Sequence, residues 1–308
     1  MFRRLPNIER GWRFATSRLF SVLHKQILGS KQEQMKSFHM RELPKNLISL
    51  SSPEGKRLFR EALLAGDMEC FFPLSEQFLT QSEPAFCALS SLAMVLNALN
   101  YDPGKVWKGV WRWTSEESLR CENHSGCGHE HEKFKVNGLN FSEFEGLAAC
   151  HGVNMLSYRV GSRAGSGGED TARELHDKVC GKHTAQECHT FAAKNLHAGD
   201  TSGDSSSHAF MKFREYLDES CRSDEGKSFL IANFDRGVLG QTGSGHFSPI
   251  GGYHRQRDLV LVMDVARFKY PPWWVSVDRL WAAMSIGDAE AAEARGYFVC
   301  RKTRGEGR

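Results

Sequence analysis

The residue in this sequence that is best suited to nucleophilic chemistry is Cys87, which lies where a loop passes into a helix. Apolar residues follow it at helical spacing in QSEPAFCALSSLAMVLNAL, and Pro84 lies just upstream, where a missing N–H costs a new helix nothing. We therefore expect Cys87 in the first turn, where free N–H groups and the helix dipole favour a thiolate, the form that attacks carbonyl carbon. The alternative is a small buried hydrophobe, a common use of cysteine.

Three further side chains could complete the chemistry of such a thiolate. Gln81 lies on the loop before Cys87, and its amide is a candidate donor to the oxyanion that forms on an attacked carbonyl. His246 lies among glycines in GQTGSGHFSPIGGY, and Asp264 lies in the apolar run LVLVMDVA. A carboxylate in an apolar run is costly unless it is paired, and an imidazole N–H is a natural partner. The alternatives are a surface histidine and a strand-end carboxylate that reaches water.

The spacing of His246 and Asp264 predicts that they are neighbours on an antiparallel hairpin. The turn HRQR lies between their two apolar stretches. If the hairpin is symmetric about Arg255, the two residues lie directly opposite each other, with Cβ atoms about 4.5–5.5 Å apart. A slip of one residue would instead place them on opposite faces of the sheet.

Regular elements are predicted on either side of these residues. We expect helices in SSPEGKRLFREALLAG, FSEFEGLAACHG and HAFMKFREYLDESC, and strands in VNMLSYRV and over residues 229–234, 246–253, 259–265 and 297–300. Helices in one part and antiparallel strands in another are typical of an α+β architecture. The three tryptophans of WKGVWRW are expected in the core or between lobes, because tryptophan buries a large area.

Three separated motifs in one order, SEPAFC, GHFSPIGGY and DVARFKYPPW, closely resemble the phytochelatin synthase family. The resemblance covers roughly Ser49 to Arg301. It implies a papain-like two-lobe α+β fold, in which the nucleophile helix of a helical lobe faces an antiparallel sheet lobe. It also implies that Cys87 is the nucleophile, that His246 takes its proton and Asp264 orients the ring, and that Gln81 stabilises the oxyanion.

The resemblance further implies the reaction. Cys87 would attack the Cys–Gly peptide bond of glutathione, and a second glutathione would resolve the resulting thioester, so that the enzyme is an acyltransferase that makes phytochelatins for metal detoxification. The resemblance implies no tightly bound cofactor; Cd, Zn or Cu ions would enter as glutathione thiolate complexes, because soft sulfur suits them. Two alternatives stay open: a hydrolase that releases glycine from glutathione or its conjugates, and a metal-binding module without catalysis.

Three charged residues near the motifs are candidates for binding the γ-glutamyl end of glutathione. Arg267 and Lys269 follow Asp264, and a guanidinium can bind an α-carboxylate through two hydrogen bonds. Glu83, beside the nucleophile, could bind the α-ammonium. For each of the three, the alternative is a solvated surface charge.

Two cysteine- and histidine-rich segments are candidates for a metal site, since thiolate and imidazole are soft ligands. Neither contains the C-x-x-C spacing of a zinc finger, and polar surface insertions are the alternative. The candidate ligands are Cys121, His124, Cys127, His129, Cys180, His183 and Cys188.

The sequence divides into three predicted parts. Residues 1–48 form a basic N-terminal arm that is disordered or a targeting segment, residues 49–301 form the catalytic domain, and residues 302–308 form a tail. Two insertions interrupt the domain, at about 121–137 and 161–208; the second lacks hydrophobic periodicity.

Composition gives no support for a nucleic-acid partner or a membrane span. The net charge of +3 over 308 residues is too small to favour nucleic acid, and no apolar run is long enough to span a membrane. Nine cysteines, an odd number, without a secretory leader, are typical of free thiols in a reducing compartment. We expect a cytoplasmic protein, with mitochondria as the alternative because the N-terminal arm is rich in arginine. A homodimer is left open.

Overall fold

The structure, a computed structural model, describes residues 40–119, 131–151, 153–160, 205–223, 228–287 and 294–301. The chain divides into two compact units, Met1–Arg41 and Glu42–Arg308, and the description below concerns the second. Most of the predicted arm, much of both predicted insertions and the tail lie outside the described residues, so the predicted domain bounds stay a prediction.

An antiparallel sheet forms the centre of the second unit. In the described part of the chain it has seven strands, in the order β1-β8-β7-β6-β5-β9-β4, and a separate hairpin joins β2 to β3. The strands are β1 (Ile48–Ser49), β2 (Val106–Lys108), β3 (Trp111–Arg112), β4 (Asn154–Arg159), β5 (Ser228–Asp235), β6 (Gly245–His254), β7 (Leu259–Val262), β8 (Trp273–Ser276) and β9 (Gly296–Arg301).

Helices accompany this sheet, which confirms the α+β class. The helices of the described residues are α1 (Pro53–Leu64), α2 (Phe71–Glu76), α3 (Cys87–Ala98), α4 (His131–Asn137), α5 (Phe141–Cys150), α6 (Ser205–Arg222) and α7 (Val277–Ser285). Helices α3, α6 and α7 all contact β5, which is buried from Ser228 to Phe234. None of the helices described here is long and apolar enough to cross a membrane.

The N-terminal ends of two helices are determined by hydrogen bonds from local side chains. Ser52 caps α1, where its side chain accepts a hydrogen bond from the Gly55 amide. Asn140 and Glu143 form a capping box at the start of α5, each side chain bonding the backbone N–H of the other.

Helix α3 is the element that positions the candidate nucleophile. Every residue from Cys87 to Ala98 is buried, so the helix lies in the core and has no solvent-facing side. The Ser91 hydroxyl donates to the Phe247 carbonyl at 3.1 Å, and Phe247 stacks on Phe144 of α5 at 5.0 Å between ring centroids. Because Phe247 follows His246 on β6, these contacts hold the start of α3 beside that histidine.

The tryptophan-rich segment differs from its prediction. Trp107, Trp111 and Trp113 are 42%, 71% and 41% exposed, so their expected burial in the core is wrong. Strands β2 and β3 pair only with each other in the described chain, and every residue of both strands of the hairpin is exposed. Its base is fixed by Thr114, which exchanges hydrogen bonds of 2.8 and 3.1 Å with the buried Asn97 of α3.

Candidate active site

Cys87 is the first residue of α3, as the sequence predicts. The loop before it turns through a hydrogen bond from the Phe86 amide to the Glu83 carbonyl at 3.1 Å, and Phe86 then begins the helical ladder by accepting from Ser90 at 2.9 Å. Cys87 is 9% exposed. Its sulfur thus lies at the end of the helix where unpaired N–H groups stabilise negative charge.

His246 and Asp264 are in direct contact. His246 Nε2 lies 2.9 Å from Asp264 Oδ1, and both residues are buried. Because Nε2 is bound to the carboxylate, Nδ1 is the ring nitrogen that remains for Cys87. The imidazole and the Phe234 ring of β5 also pack in a T-shaped arrangement, with centroids 5.6 Å apart.

The register of the β6–β7 hairpin corrects the predicted geometry. Ile250 pairs with Val262, and Asp264 lies beyond the end of β7. Continuing that pairing places Asp264 opposite Ser248 rather than His246, so the prediction of a directly opposed pair is wrong. The offset of two residues keeps both side chains on one face of the sheet, where diagonal neighbours come within reach.

The Asp264 carboxylate is fully buried and receives four hydrogen bonds. Its Oδ1 accepts from Arg236 Nη2 at 2.9 Å, from the Ala266 amide at 3.0 Å and from His246, and its Oδ2 accepts from Trp273 Nε1 at 3.2 Å. Burial raises the pKa of Asp264, but the charges and hydrogen bonds of His246 and Arg236 outweigh it and hold the pKa well below its usual range. Asp264 is therefore an anion at neutral pH.

The thiol and the imidazole influence each other in opposite directions. Burial raises the pKa of Cys87, but the charge and hydrogen bond of His246, with smaller effects of Phe247 and Arg236, bring it below its ordinary value. Burial and the Arg236 charge lower the pKa of His246, whereas Asp264 and Cys87 raise it above its ordinary value. Both directions favour a thiolate–imidazolium pair.

Gln81 lies next to this site, but its amide is engaged elsewhere. Its backbone N–H donates to the Val265 carbonyl at 3.0 Å, which ties the nucleophile loop to the residue after Asp264. Its Nε2 donates to the carbonyls of Glu83 and Pro84, each at 2.8 Å, while its buried Oε1 has no hydrogen-bond partner among the described residues. A role in the oxyanion hole would require one of these bonds to be exchanged, and it stays a prediction.

The three predicted substrate-binding residues differ in exposure and in the contacts they make. Arg267 is exposed, and its guanidinium lies over the Phe78 ring at 4.7 Å. Lys269 is half-buried and donates from Nζ to the Thr242 carbonyl. Glu83 is half-buried on the loop before Cys87. Their roles in binding stay predictions.

The predicted metal ligands lie outside the described residues, so the structure gives no placement for them. They are Cys121, His124, Cys127, His129, Cys180, His183 and Cys188. In the part of the chain that is described, no group of three or more His, Cys, Asp or Glu residues is arranged to hold a metal ion.

Two residues of the site are missed by the sequence analysis. Arg236 is 2% exposed and bonds Asp264, and the only signal for it is its position directly after a strongly apolar strand. Glu116 accepts hydrogen bonds from the Ser82 amide at 3.1 Å and from the Ser90 hydroxyl, and thereby joins the nucleophile loop to α3. No local pattern predicts that contact, since Glu116 lies far from both serines in the chain.

Fold and site together define a class of protein. It is an α+β protein in which a cysteine begins a helix beside a histidine, and a buried aspartate binds that histidine. Such an arrangement can attack a carbonyl carbon, form a thioester and pass the acyl group on. The sequence model of the phytochelatin synthase family matches residues 38–297, which includes all three residues. The chain belongs to the phytochelatin synthase family.

Curated relatives agree with this assignment. Glutathione gamma-glutamylcysteinyltransferase 3 of Lotus japonicus is 39% identical over 257 residues, covering 83% of this chain and 43% of the relative. Glutathione gamma-glutamylcysteinyltransferase 1 of Arabidopsis thaliana is 37% identical, covering 88% and 45%. The protein named glutathione gamma-glutamylcysteinyltransferase in Schizosaccharomyces pombe is 34% identical, covering 96% and 59%. The chain thus spans about half the length of the curated relatives it matches.

Proposed function

We propose that this chain is a γ-glutamylcysteine dipeptidyl transpeptidase that makes phytochelatins from glutathione. The observation that carries the proposal is the hydrogen bond of His246 to Asp264, together with the His246 charge that lowers the pKa of Cys87, all inside the family match. The name of the relatives, glutathione gamma-glutamylcysteinyltransferase, describes transfer of a γ-glutamylcysteinyl group. A cysteine thioester is the intermediate through which such a transfer can pass.

In the first half-reaction, the Cys87 thiolate attacks the carbonyl carbon of the Cys–Gly bond of glutathione. The oxyanion that forms lies near the start of α3, whose unpaired N–H groups can stabilise it. Protonated His246 then gives its proton to the glycine nitrogen, the C–N bond breaks, and glycine leaves. A γ-Glu-Cys thioester on Cys87 remains, with His246 neutral.

In the second half-reaction, the α-amine of another glutathione attacks the thioester carbonyl. His246 accepts the proton that the amine loses, the C–S bond breaks, and the Cys87 thiolate returns. The product is a (γ-Glu-Cys)n-Gly peptide. If water takes the place of the amine, the same residues hydrolyse glutathione to γ-Glu-Cys and glycine.

Charged residues near the site can bind the γ-glutamyl end of the substrate. Arg267 is exposed and held against Phe78, so its outward N–H groups are available to a carboxylate. Glu83 lies on the nucleophile loop, where a carboxylate can meet an ammonium group. Lys269 contributes charge while its Nζ bonds the Thr242 carbonyl.

The proposal also covers the role of the metal ion, the fold and the cellular location. The metal ion enters with the substrate, as a Cd, Zn or Cu complex of glutathione thiolates that serves as acceptor. The fold is papain-like, with α3 in a helical lobe against the sheet lobe, a contact that the packing of α3 on β6 supports. A reducing, cytoplasmic location is supported by free cysteines in the described residues, among them Cys70, Cys87, Cys221 and Cys300.

The test uses the purified full chain with glutathione, with and without Cd²⁺, and identifies products by mass spectrometry. We expect γ-Glu-Cys oligomers and free glycine from the wild type and neither from Cys87→Ala. Cys150→Ala is the matched control, since Cys150 is a half-buried cysteine at the end of α5, outside the site. It should retain wild-type activity.

The products distinguish the alternatives. Glycine and γ-Glu-Cys without oligomers identify a hydrolase. Stoichiometric Cd²⁺ binding that survives Cys87→Ala, with no glycine released by any variant, identifies a metal-binding module and refutes the enzyme.

A further inference from the structure

Arg236 is the buried cation of the site, and its position is fixed on several sides. It follows β5 directly, and its Nη2 lies 2.9 Å from Asp264 Oδ1. Its Nη1 donates to the Gln241 side-chain oxygen, and its guanidinium lies 5.2 Å from the Tyr270 ring centroid. Two backbone bonds, from Arg236 to Ser244 at 3.0 Å and from Gln241 to Arg236 at 2.9 Å, close the loop that carries it.

Arg236 and His246 share one oxygen of the same carboxylate. Both Nη2 of Arg236 and Nε2 of His246 lie 2.9 Å from Asp264 Oδ1. A buried aspartate facing only a histidine would hold the imidazolium strongly, because the low-dielectric interior strengthens the attraction. With Arg236 present, the Asp264 charge is already balanced, so the proton on His246 is held less tightly.

Charge counting shows what this changes. Asp264 and Arg236 together carry no net charge, and Cys87 and His246 carry none either, whether as thiol and imidazole or as thiolate and imidazolium. The whole site is therefore neutral in both forms. Without Arg236 it would carry a net charge of −1 in the protein interior, where uncompensated charge is costly.

We propose that Arg236 is a positioning residue that compensates the charge of Asp264 and thereby sets the pH range in which the Cys87 thiolate coexists with protonated His246. In effect, the Asp264–Arg236 pair is a neutral hydrogen-bond acceptor for the imidazole. It orients the ring as a carboxylate does, without the full negative charge of a carboxylate.

The electrostatics of the three groups give the direction of the effect. Among the described residues, the charged and titratable groups that act on the imidazole are Cys87 from α3, Asp264 after β7 and Arg236 after β5. Burial is the largest influence on the pKa of His246 and lowers it, and the Arg236 charge lowers it further. Arg236 also lowers the pKa of Cys87. Loss of its charge raises both pKa values, so the whole thiolate–imidazolium range moves to higher pH.

This role serves the proposed function, on which its catalytic meaning rests. His246 must give its proton to the departing glycine nitrogen, and an imidazolium bound too tightly by a lone carboxylate would give it slowly. General acid catalysis is most efficient when the acid titrates near the working pH.

The test measures the thiolate of Cys87 without glutathione, so its result does not depend on the proposed reaction. Iodoacetamide alkylation of Cys87, followed by mass spectrometry of its peptide, is recorded from pH 4 to 10 in the full chain. We expect Arg236→Met to move both the onset and the upper inflection of the profile to higher pH. At an acidic pH where the wild-type rate is still rising with pH, Arg236→Met should be alkylated about tenfold more slowly than the wild type. A tenfold change is the smallest that a close opposite charge usually causes at a titrating group. Arg236→Lys, which keeps the charge, should stay near the wild-type profile.

Two further variants keep the proposal falsifiable if Arg236→Met folds poorly. The double variant Asp264→Asn/Arg236→Met removes both charges and leaves the site neutral. The pH at which its Cys87 alkylation begins should therefore return close to that of the wild type. Arg159→Met is the matched control, because Arg159 pairs with Glu145 at 3.0 Å away from the triad. It should not move the profile.

Three results would overturn the proposal: an unshifted profile in folded Arg236→Met, an equal shift in Arg236→Lys, or a double variant shifted as far as the single one. A purely structural role would lower the yield of folded protein without moving the inflections. Absence of glycine release from the wild type, with the Arg236→Met profile shifted as expected, would instead count against the proposed reaction and leave the role of Arg236 intact.

Discussion

Replacing Asp264 by asparagine should destabilise the protein strongly, because Arg236 would remain buried without its anion. The two residues are 0% and 2% exposed, and their closest atoms are 2.9 Å apart. Removing one partner of such a pair costs about 3–5 kcal/mol. Asparagine keeps an oxygen that can accept from Arg236 and His246, so we expect the lower end, about 3 kcal/mol. For a domain of this size, that lowers Tm by about 6–12 °C.

The measurement is urea and thermal unfolding of wild type, Asp264→Asn, Arg236→Met and the double variant at pH 7. The double variant leaves neither charge unpaired, so it should be less destabilised than the sum of the two single variants. The urea dependence should keep one slope, so that shifts in the midpoint report stability alone. A loss below about 1 kcal/mol in Asp264→Asn, or additive losses in the double variant, would refute the reasoning.

The same pair makes a pH prediction whose sign follows from the direction of the shift. The pKa of Asp264 is held below its usual value, so its contribution to stability is fully present above the unfolded-state pKa of about 4. It is lost as the pH falls toward the folded-state value. The stability difference between wild type and Asp264→Asn should therefore narrow below about pH 4. If the stability difference between the two proteins stays constant below that pH, the carboxylate charge is not the source of the stabilisation.

Three further substitutions test the fold by urea unfolding. Asn140→Ala removes the capping-box acceptor of α5 and should cost about 1 kcal/mol; an unchanged midpoint would exclude the cap as a source of stability. Phe144→Ala should lower the free energy of unfolding by about 3–5 kcal/mol, since the ring is fully buried and stacks on Phe247. A small loss would mean that neighbouring side chains fill the cavity left by the ring. Trp111→Ser should change stability by less than about 0.5 kcal/mol, because Trp111 is 71% exposed; a large loss would show that the hairpin packs against another part of the protein.

The parts of the site that sequence predicts are those that depend on local pattern. Cys87 begins α3 because an apolar helical repeat follows a proline-containing loop, and both signals lie within a few residues of it. The contact of His246 with Asp264 follows from hairpin proximity and from the cost of a lone carboxylate in an apolar strand. Each inference needs only short-range information.

The parts that sequence does not predict depend on exact register or on distant contacts. The β6–β7 turn contains a 3₁₀ segment, and the pairing shifts between Ile250 and Gly252, so simple symmetry about Arg255 gives the wrong partner for His246. Composition predicts burial of the tryptophans near Trp111, but a short hairpin that pairs only with itself, among the described strands, gives them no core to enter. Glu116 reaches the nucleophile loop only because α3 and the segment after the hairpin run side by side.

Arg236 shows why the identity of a third residue does not by itself define how a cysteine triad works. An aspartate in that position predicts a strongly held imidazolium, and for an isolated buried pair that expectation is sound. The structure adds a guanidinium on the same carboxylate oxygen, so the histidine faces an anion whose charge is already balanced. The acidity of His246 then depends on a residue from the loop after β5 as much as on its direct partner. Substituting Asp264 alone would therefore alter orientation, charge balance and stability together, and only variants that treat Asp264 and Arg236 as a unit can separate the three.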